Sequence, residues 1–118
     1  MSLAAKLLKR EAELVVRFRD TLLCEQQILR NRTSEGLAEI RAEKLSLVDS
    51  LNIAEAERAR TLSSSNNDLI DMKSWFSAHP AEREAAKLWK ILLETAREAR
   101  DLNALNGNLI QVLHQKTS

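Results

Sequence analysis

Residues 89–113 read WKILLETAREARDLNALNGNLIQVL. Within them Trp89, Leu92, Ala96, Ala99, Asn103, Asn106, Ile110 and Leu113 succeed one another at alternating steps of three and four. An α-helix puts that series on one face, whereas a strand would split it between two. The stretch therefore predicts one long amphipathic helix whose stripe carries two amides beside Gly107. Asparagine and glycine each weaken a helix interior by roughly 0.5–1 kcal/mol relative to alanine. Two readings follow. Asn106-Gly107 is a helix C-cap, or the helix continues in phase through Ile110 and Leu113 with a weakened end that exchanges partners.

Outward from this segment, composition supports the same class. The chain has 118 residues, is 44% hydrophobic and only 3% aromatic, and contains two glycines and one proline. Aliphatic side chains must fill the core, and there is too little turn-forming material for many strands. One all-α domain over 1–118 is expected. A first helix is predicted from about Leu3 to Arg30, with Leu7, Leu14 and Ile28 in one column, Leu8, Val15, Leu22 and Leu29 in the next, and Ala4 and Phe18 flanking. So broad a stripe suits a multi-helix bundle. After the polar run Arg30–Ser34, with Thr33 or Ser34 as N-cap and Glu35 in the first turn, a second helix is predicted over about 34–62.

The stripe of that second helix is Leu37, Ile40, Lys44, Leu47, Leu51, Ala54 and Arg58. Its two cations either snorkel their charges to water or pair with Glu11 or Glu25 on the first helix, fixing register more than adding stability. Ser63–Asn67 interrupts the pattern, and Asn67 or Asp68 would cap a short helix over about 68–77 carrying Leu69, Met72, Trp75 and Phe76. The two aromatics read as the plug of a bundle end. Pro80 suits the first position of a third long helix over about 80–112, with Glu82 and Glu84 near its positive end. Short connections pack neighbours antiparallel, giving an elongated antiparallel three-helix bundle or coiled coil with a short extra helix between helices 2 and 3.

Chemistry is sparse. A net charge of +1 excludes a strongly basic nucleic-acid binder, and the Arg30/Arg32 cluster lacks interleaved aromatics. His79 and His114 read as surface residues, neither preceded three positions earlier by glutamate as in di-iron carboxylate bundles. No Cys-x-x-Cys, glycine-rich phosphate loop or Gly-x-Ser-x-Gly turn is present. No catalytic residue, metal or cofactor is expected. Cys24, the sole cysteine, reads as a buried or half-buried structural thiol in a reducing compartment. No apolar run approaches the ~20 residues needed to cross a bilayer. Charges at Lys6, Lys9, Arg10 and Glu11 interrupt any signal-peptide pattern. A cytoplasmic protein without membrane insertion is expected.

The series Glu25-x-x-x-Leu29, Leu37, Lys44, Leu51 and Arg58, then Trp89 and Leu102-Asn103-x-x-Asn106-Gly107-x-Leu109-Ile110, resembles the FlgN family of flagellar export chaperones. The resemblance runs from about Leu7 to Leu113, and its asparagine–glycine segment is the more specific part. It implies a cytoplasmic helical protein without catalytic activity. Such a protein holds hook–filament junction subunits by their C-terminal amphipathic segments and delivers them to the cytoplasmic domain of the type III export gate. It also implicates Asn103, Asn106, Gly107, Leu109, Ile110 and Leu113 in partner binding. Glu25, Lys44 and Arg58, from their places on the stripes of the first two helices, are the expected register residues. The alternatives are a chaperone for other flagellar or type III secretion cargo, such as the filament cap, or a purely structural coiled-coil oligomer.

Overall fold

A computed structural model describes residues 1–62 and 68–117, and side chains among them except at 68–71 and 114–117. The expected Ser63–Asn67 break, the Asn67 or Asp68 cap, Leu69 and the His114 side chain lie outside the described residues. Among the described residues there are four helices: α1 (Leu3–Arg30), α2 (Leu37–Leu62), α3 (Asp68–Ala78) and α4 (Arg83–Thr117). The molecule measures 55 × 22 × 21 Å with a radius of gyration of 17.0 Å. A globule of this length would have about 13–14 Å, so the chain is a rod. It is all-α and elongated, with α3 as the short helix between the long ones.

Helix ends show where local chemistry overrides periodicity. Ser2 caps α1, its Oγ accepting the Ala5 N–H at 3.1 Å while donating to Glu82 Oε2 at 2.8 Å. The same hydroxyl thus starts α1 and ties it to the start of α4. Helix α2 starts at Leu37, not near Ser34, because Gly36 sits at φ +83°, outside the helical region. Thr33 Oγ1 accepts the Glu35 N–H in a local turn, and Gly36 O accepts the first helical bond, from Ile40. Pro80 does not begin α4. Residues 79–82 form a turn closed by the Glu82 N–H on His79 O, and Glu82, with its carboxylate held by Ser2, supplies the first helical acceptor, for Ala86. At its other end α4 runs through Asn106-Gly107 to Thr117, past the expected stop near 112. The C-cap reading of Asn106-Gly107 is therefore wrong.

Burial picks out one central column per helix. On α1, Leu8, Val15, Leu22 and Leu29 are buried, flanked by Ala4, Glu11 and Glu25 on one side and by Ala5 and Ala12 on the other. Leu7, Leu14 and Ile28 are only half-buried. On α4 the column is Ala85, Leu92, Ala99 and Asn106, with Thr95 also buried, a residue the apolar pattern did not single out. Asn103, expected on the stripe, is exposed on its flank. Cys24 is exposed too, against expectation, because it continues the solvent-facing column Leu3, Arg10 and Arg17 at seven-residue spacing.

Side-chain pairs give the helix directions. Glu11–Arg58 and Glu25–Lys44 join α1 to α2, and both pairs of residue numbers add to 69 (11 and 58, 25 and 44), so these helices are antiparallel. Ser2–Glu82, Arg19–Glu98 and Glu25–Asn106 join α1 to α4 at offsets of 80, 79 and 81, so these two are parallel. Among the described residues α1 lies in close backbone contact with both α2 and α4, whereas α2 and α4 approach each other marginally at most. The long helices occupy three corners of a square, with α1 at the middle corner. Near the N-terminal half of α1 the fourth corner is taken by α3. Its Met72 is fully buried with Ala4, Leu8, Ala85 and Leu92, and Trp75 and Phe76 pack against that cluster.

Replacing Leu22 or Leu47, both at most 3% exposed, with alanine is expected to cost ~2–5 kcal/mol in urea unfolding through lost transfer energy and a residual cavity. Leu45→Ala, two residues away on α2 but 73% exposed, should change stability by no more than ~0.5 kcal/mol. Equal losses at Leu45 and Leu47 would contradict the assigned face of α2.

Candidate partner-binding site

The structure gathers four of the residues singled out in the sequence, Glu25, Lys44, Asn103 and Asn106, around the C-terminal half of α1. Glu25 is 1% exposed and accepts two bonds from Lys44 Nζ, each 3.1 Å. Lys44 Nζ also lies 3.4 Å from Asn103 Oδ1, so one ammonium spans α1, α2 and α4. Asn106, also 1% exposed, donates from Nδ2 to Leu22 O at 2.8 Å and to Glu25 Oε1 at 3.0 Å. Two acceptors on one nitrogen fix the amide's orientation. Asn106 Oδ1 is buried and accepts no hydrogen bond in the protein.

These contacts revise the role expected of the amides. Asn106 is a tie between α4 and α1 rather than a weak point of the seam. A hydrogen bond to a charged acceptor is worth ~1.5–3 kcal/mol, and an unsatisfied buried carbonyl costs ~1–3 kcal/mol. The two nearly cancel. What remains is register, since only one alignment brings Asn106 to the Glu25 carboxylate, as a single buried asparagine does in coiled coils. Gly107 is helical and exposed, and a Cβ added there would meet nothing within 4 Å. Its lack of a side chain leaves open space beside the helix.

Fourteen residues along, the arrangement repeats in a drier setting. Arg58 Nε donates to Glu11 Oε1 at 2.6 Å and Nη2 to Glu11 Oε2 at 3.1 Å, a two-point pairing in which the side chains are only 3% and 6% exposed. The Arg58 guanidinium also sits 4.8 Å from the Trp89 ring centroid. Arg58 therefore does not snorkel. Lys44, 22% exposed, only partly does. The pairing alternative is the one that forms, with Arg58 on Glu11 and Lys44 on Glu25. The available signal was that two acids fourteen residues apart on one stripe face two cations fourteen residues apart on the next.

Beyond this network, α4 changes character. Leu109, Ile110 and Leu113 are half-buried, and Leu105 and Val112 are 43% and 47% exposed. With Ile91, at 47%, these last two form an exposed apolar column at multiples of seven that the sequence reading missed. By the offset of about 80, Arg30 at the end of α1 lies level with about residue 110, so the last two turns of α4 project past α1. Asn103, Gly107 and Ile110 face the α2 side, while Leu109 lies on the opposite flank of the seam. Among the described residues no cluster of three or more His, Cys, Asp or Glu is placed to hold a metal ion. None of the helices is long and apolar enough to cross a membrane.

A rod of three long helices with polar rungs and a partly bare distal α4 is the setting for the comparison with known proteins. The sequence model of one family, described as FlgN protein, matches residues 2–117. The chain belongs to the FlgN family. That family is one of flagellar export chaperones, not of enzymes. Comparisons with curated proteins and with solved structures gave no match.

The buried rungs carry a measurable expectation. Arg58→Met leaves the Glu11 carboxylate buried without its partner and should cost ~3–5 kcal/mol. Adding Glu11→Leu should recover most of that loss, because the pair itself roughly breaks even against apolar replacements. Lys44→Met should cost less than Arg58→Met, since Glu25 keeps the Asn106 amide as a donor and Lys44 is itself 22% exposed. Urea melts of the single and double variants read the non-additivity directly. Additive losses at Glu11 and Arg58 would refute the coupling.

Proposed function

We propose that this FlgN-family chain is a cytoplasmic chaperone for the hook–filament junction subunits. It holds their C-terminal amphipathic segments on distal α4 and keeps the subunits unassembled until they reach the cytoplasmic domain of the export gate. The observation that carries this reading is the condition of α4 beyond Asn103. Apolar residues continue there in phase, Leu109, Ile110 and Leu113 are only half-buried, and the helix outruns α1. A helix end of this kind offers an amphipathic partner the i, i+3, i+4, i+7 anchors of helix-in-groove recognition.

No chemistry is required of such a site. Binding is the whole task, so the relevant free energies are those of apolar burial and of keeping α4 in place while the client comes and goes. Asn103, Asn106, Gly107, Leu109, Ile110 and Leu113 belong to the contact segment in this reading. Asn106 acts from beneath, by anchoring α4 to α1 through Leu22 O and Glu25. The family's general role in flagellar export supports the reading that the client is passed to the gate.

The Ile91–Leu105–Val112 column favours one competing arrangement, a homo-oligomer built on helix–helix packing. Calorimetric titration of peptides from the C-termini of the junction subunits, with sedimentation of the protein alone, separates the two. Ile110→Asp and Leu113→Asp should each weaken peptide binding by at least ~30-fold, the loss of a ~2 kcal/mol anchor, with helicity retained. Binding at the wild-type level by both variants would place the client elsewhere. An oligomer without any peptide binding would favour the structural reading.

A further inference from the structure

The unfilled corner of the square has a definite lining. Arg58–Trp89 and Lys44–Asn103 are the side-chain bridges between α2 and α4, and both pairs of residue numbers add to 147 (58 and 89, 44 and 103). These helices are therefore antiparallel and in a single register, held apart by long side chains rather than by backbone contact. Above the bridges runs a trough. At one end α3 lies in it, with Met72 buried in the core and Phe76 against Trp89 and Leu93. At the other end Arg41, Leu45 and Ile110 form the walls, with Glu25 and Lys44 as the floor. Val48, one turn from Lys44 on the flank that carries Arg41, is 41% exposed, and Leu45 is 73% exposed. Gly107 adds open space on the α4 wall.

We infer that the open half of this trough takes an acidic amphipathic helix of the client, lying in line with α3 and completing a four-helix arrangement. The inference rests on the chaperone reading above and specifies which side of α4 the client uses. That a helix fits is shown within the chain, since α3 fills the same trough at its other end. The register of 147 puts Val48 level with Ala99 and Leu37, where α2 starts, level with Ile110, so the open stretch covers about 12 residues of α4, or ~18 Å. That length suits a client helix of about three turns.

Charge selects the sign of the occupant. Both carboxylate oxygens of Glu25 are engaged by Lys44, and the wall of α2 contributes Arg41, exposed and one turn from Lys44. On α4 the column Leu93, Arg100 and Gly107 borders the trough, and Arg100 is exposed, with the equally exposed Asp101 beside it at 3.5 Å. A helix with Leu-, Ile- or Val-type residues toward Leu45, Val48 and Ile110 and acidic residues on its two edges would meet an arginine on either side. Rim charges of this kind chiefly govern association and specificity.

The test uses the full chain and peptides of about 20 residues from the C-termini of the junction subunits, titrated by calorimetry. Arg41→Glu and Val48→Asp alter exposed side chains, so melting should be unchanged. Each is expected to weaken binding about tenfold or more. A peptide whose acidic residues are changed to lysine should bind Arg41→Glu more tightly than it binds the wild type. Leu105→Asp, on the opposite side of α4, should leave binding intact. If Leu105→Asp removes binding while Arg41→Glu and Val48→Asp bind as the wild type does, the trough inference is overturned and the chaperone reading stands. If no junction peptide binds the wild type, the chaperone reading falls and takes the trough with it. A wild-type dimer that Val48→Asp converts to monomer would assign the trough to a second copy of this chain and overturn the inference as well.

Discussion

Two buried carboxylates on α1, Glu11 and Glu25, set the geometry of everything else. Each takes a cation from α2, and because both spacings are fourteen residues the two pairs can form together in only one antiparallel alignment. A slip of one heptad would still bury leucine against leucine. It would also leave both carboxylates without their cations, at a cost of several kcal/mol each. The apolar columns supply the driving force for collapse, and the charged rungs choose among nearly equivalent packings. Glu25 does this twice, since Asn106 brings α4 to the same carboxylate from the other side.

The rungs also explain why the bundle stays open. Arg58 and Lys44 reach from α2 past α1 toward Trp89 and Asn103, and long side chains at those positions hold α2 and α4 apart. Short apolar residues there would let the two helices close into a compact triangle. The open corner is filled at one end by α3 with its buried Met72 and half-buried aromatics. Towards the end of α1 it is left to Leu45, Val48, Gly107 and Ile110. In the proposed reading the filled half supplies stability and the open half offers its apolar surface to another chain.

Polar content differs between the two halves accordingly. Around Arg58 the charges are nearly dry and doubly hydrogen-bonded, and the tryptophan ring covers the guanidinium. Around Lys44 the rung is partly wet, and the neighbouring asparagine leaves one buried oxygen without a donor. The first rung is built to stay shut. The second stands beside the segment where a partner would approach, and its weaker desolvation makes local rearrangement there less costly than at Arg58.

Much of this was legible in the sequence. The three- and four-residue steps, two glycines and one proline were enough for an all-α rod, since helix periodicity is a local property that neighbours seldom reverse in long segments. The asparagine–glycine segment with its heptad flanks was enough for the family. Helix starts at Leu37 and Arg83 were not legible. They depend on the positive φ of Gly36 and on the Ser2 hydroxyl capturing Glu82, a contact across 80 residues. Nor could the pattern tell which of two adjacent columns on α4 is central. Asn103 and Asn106 look alike on a wheel, yet one is exposed and reaches the half-buried Lys44 ammonium, and the other is buried against α1. A stripe spans more than 100° of a helix, and only the positions of the two neighbouring helices decide which part of it becomes core, which becomes bridge and which is left to face an open trough.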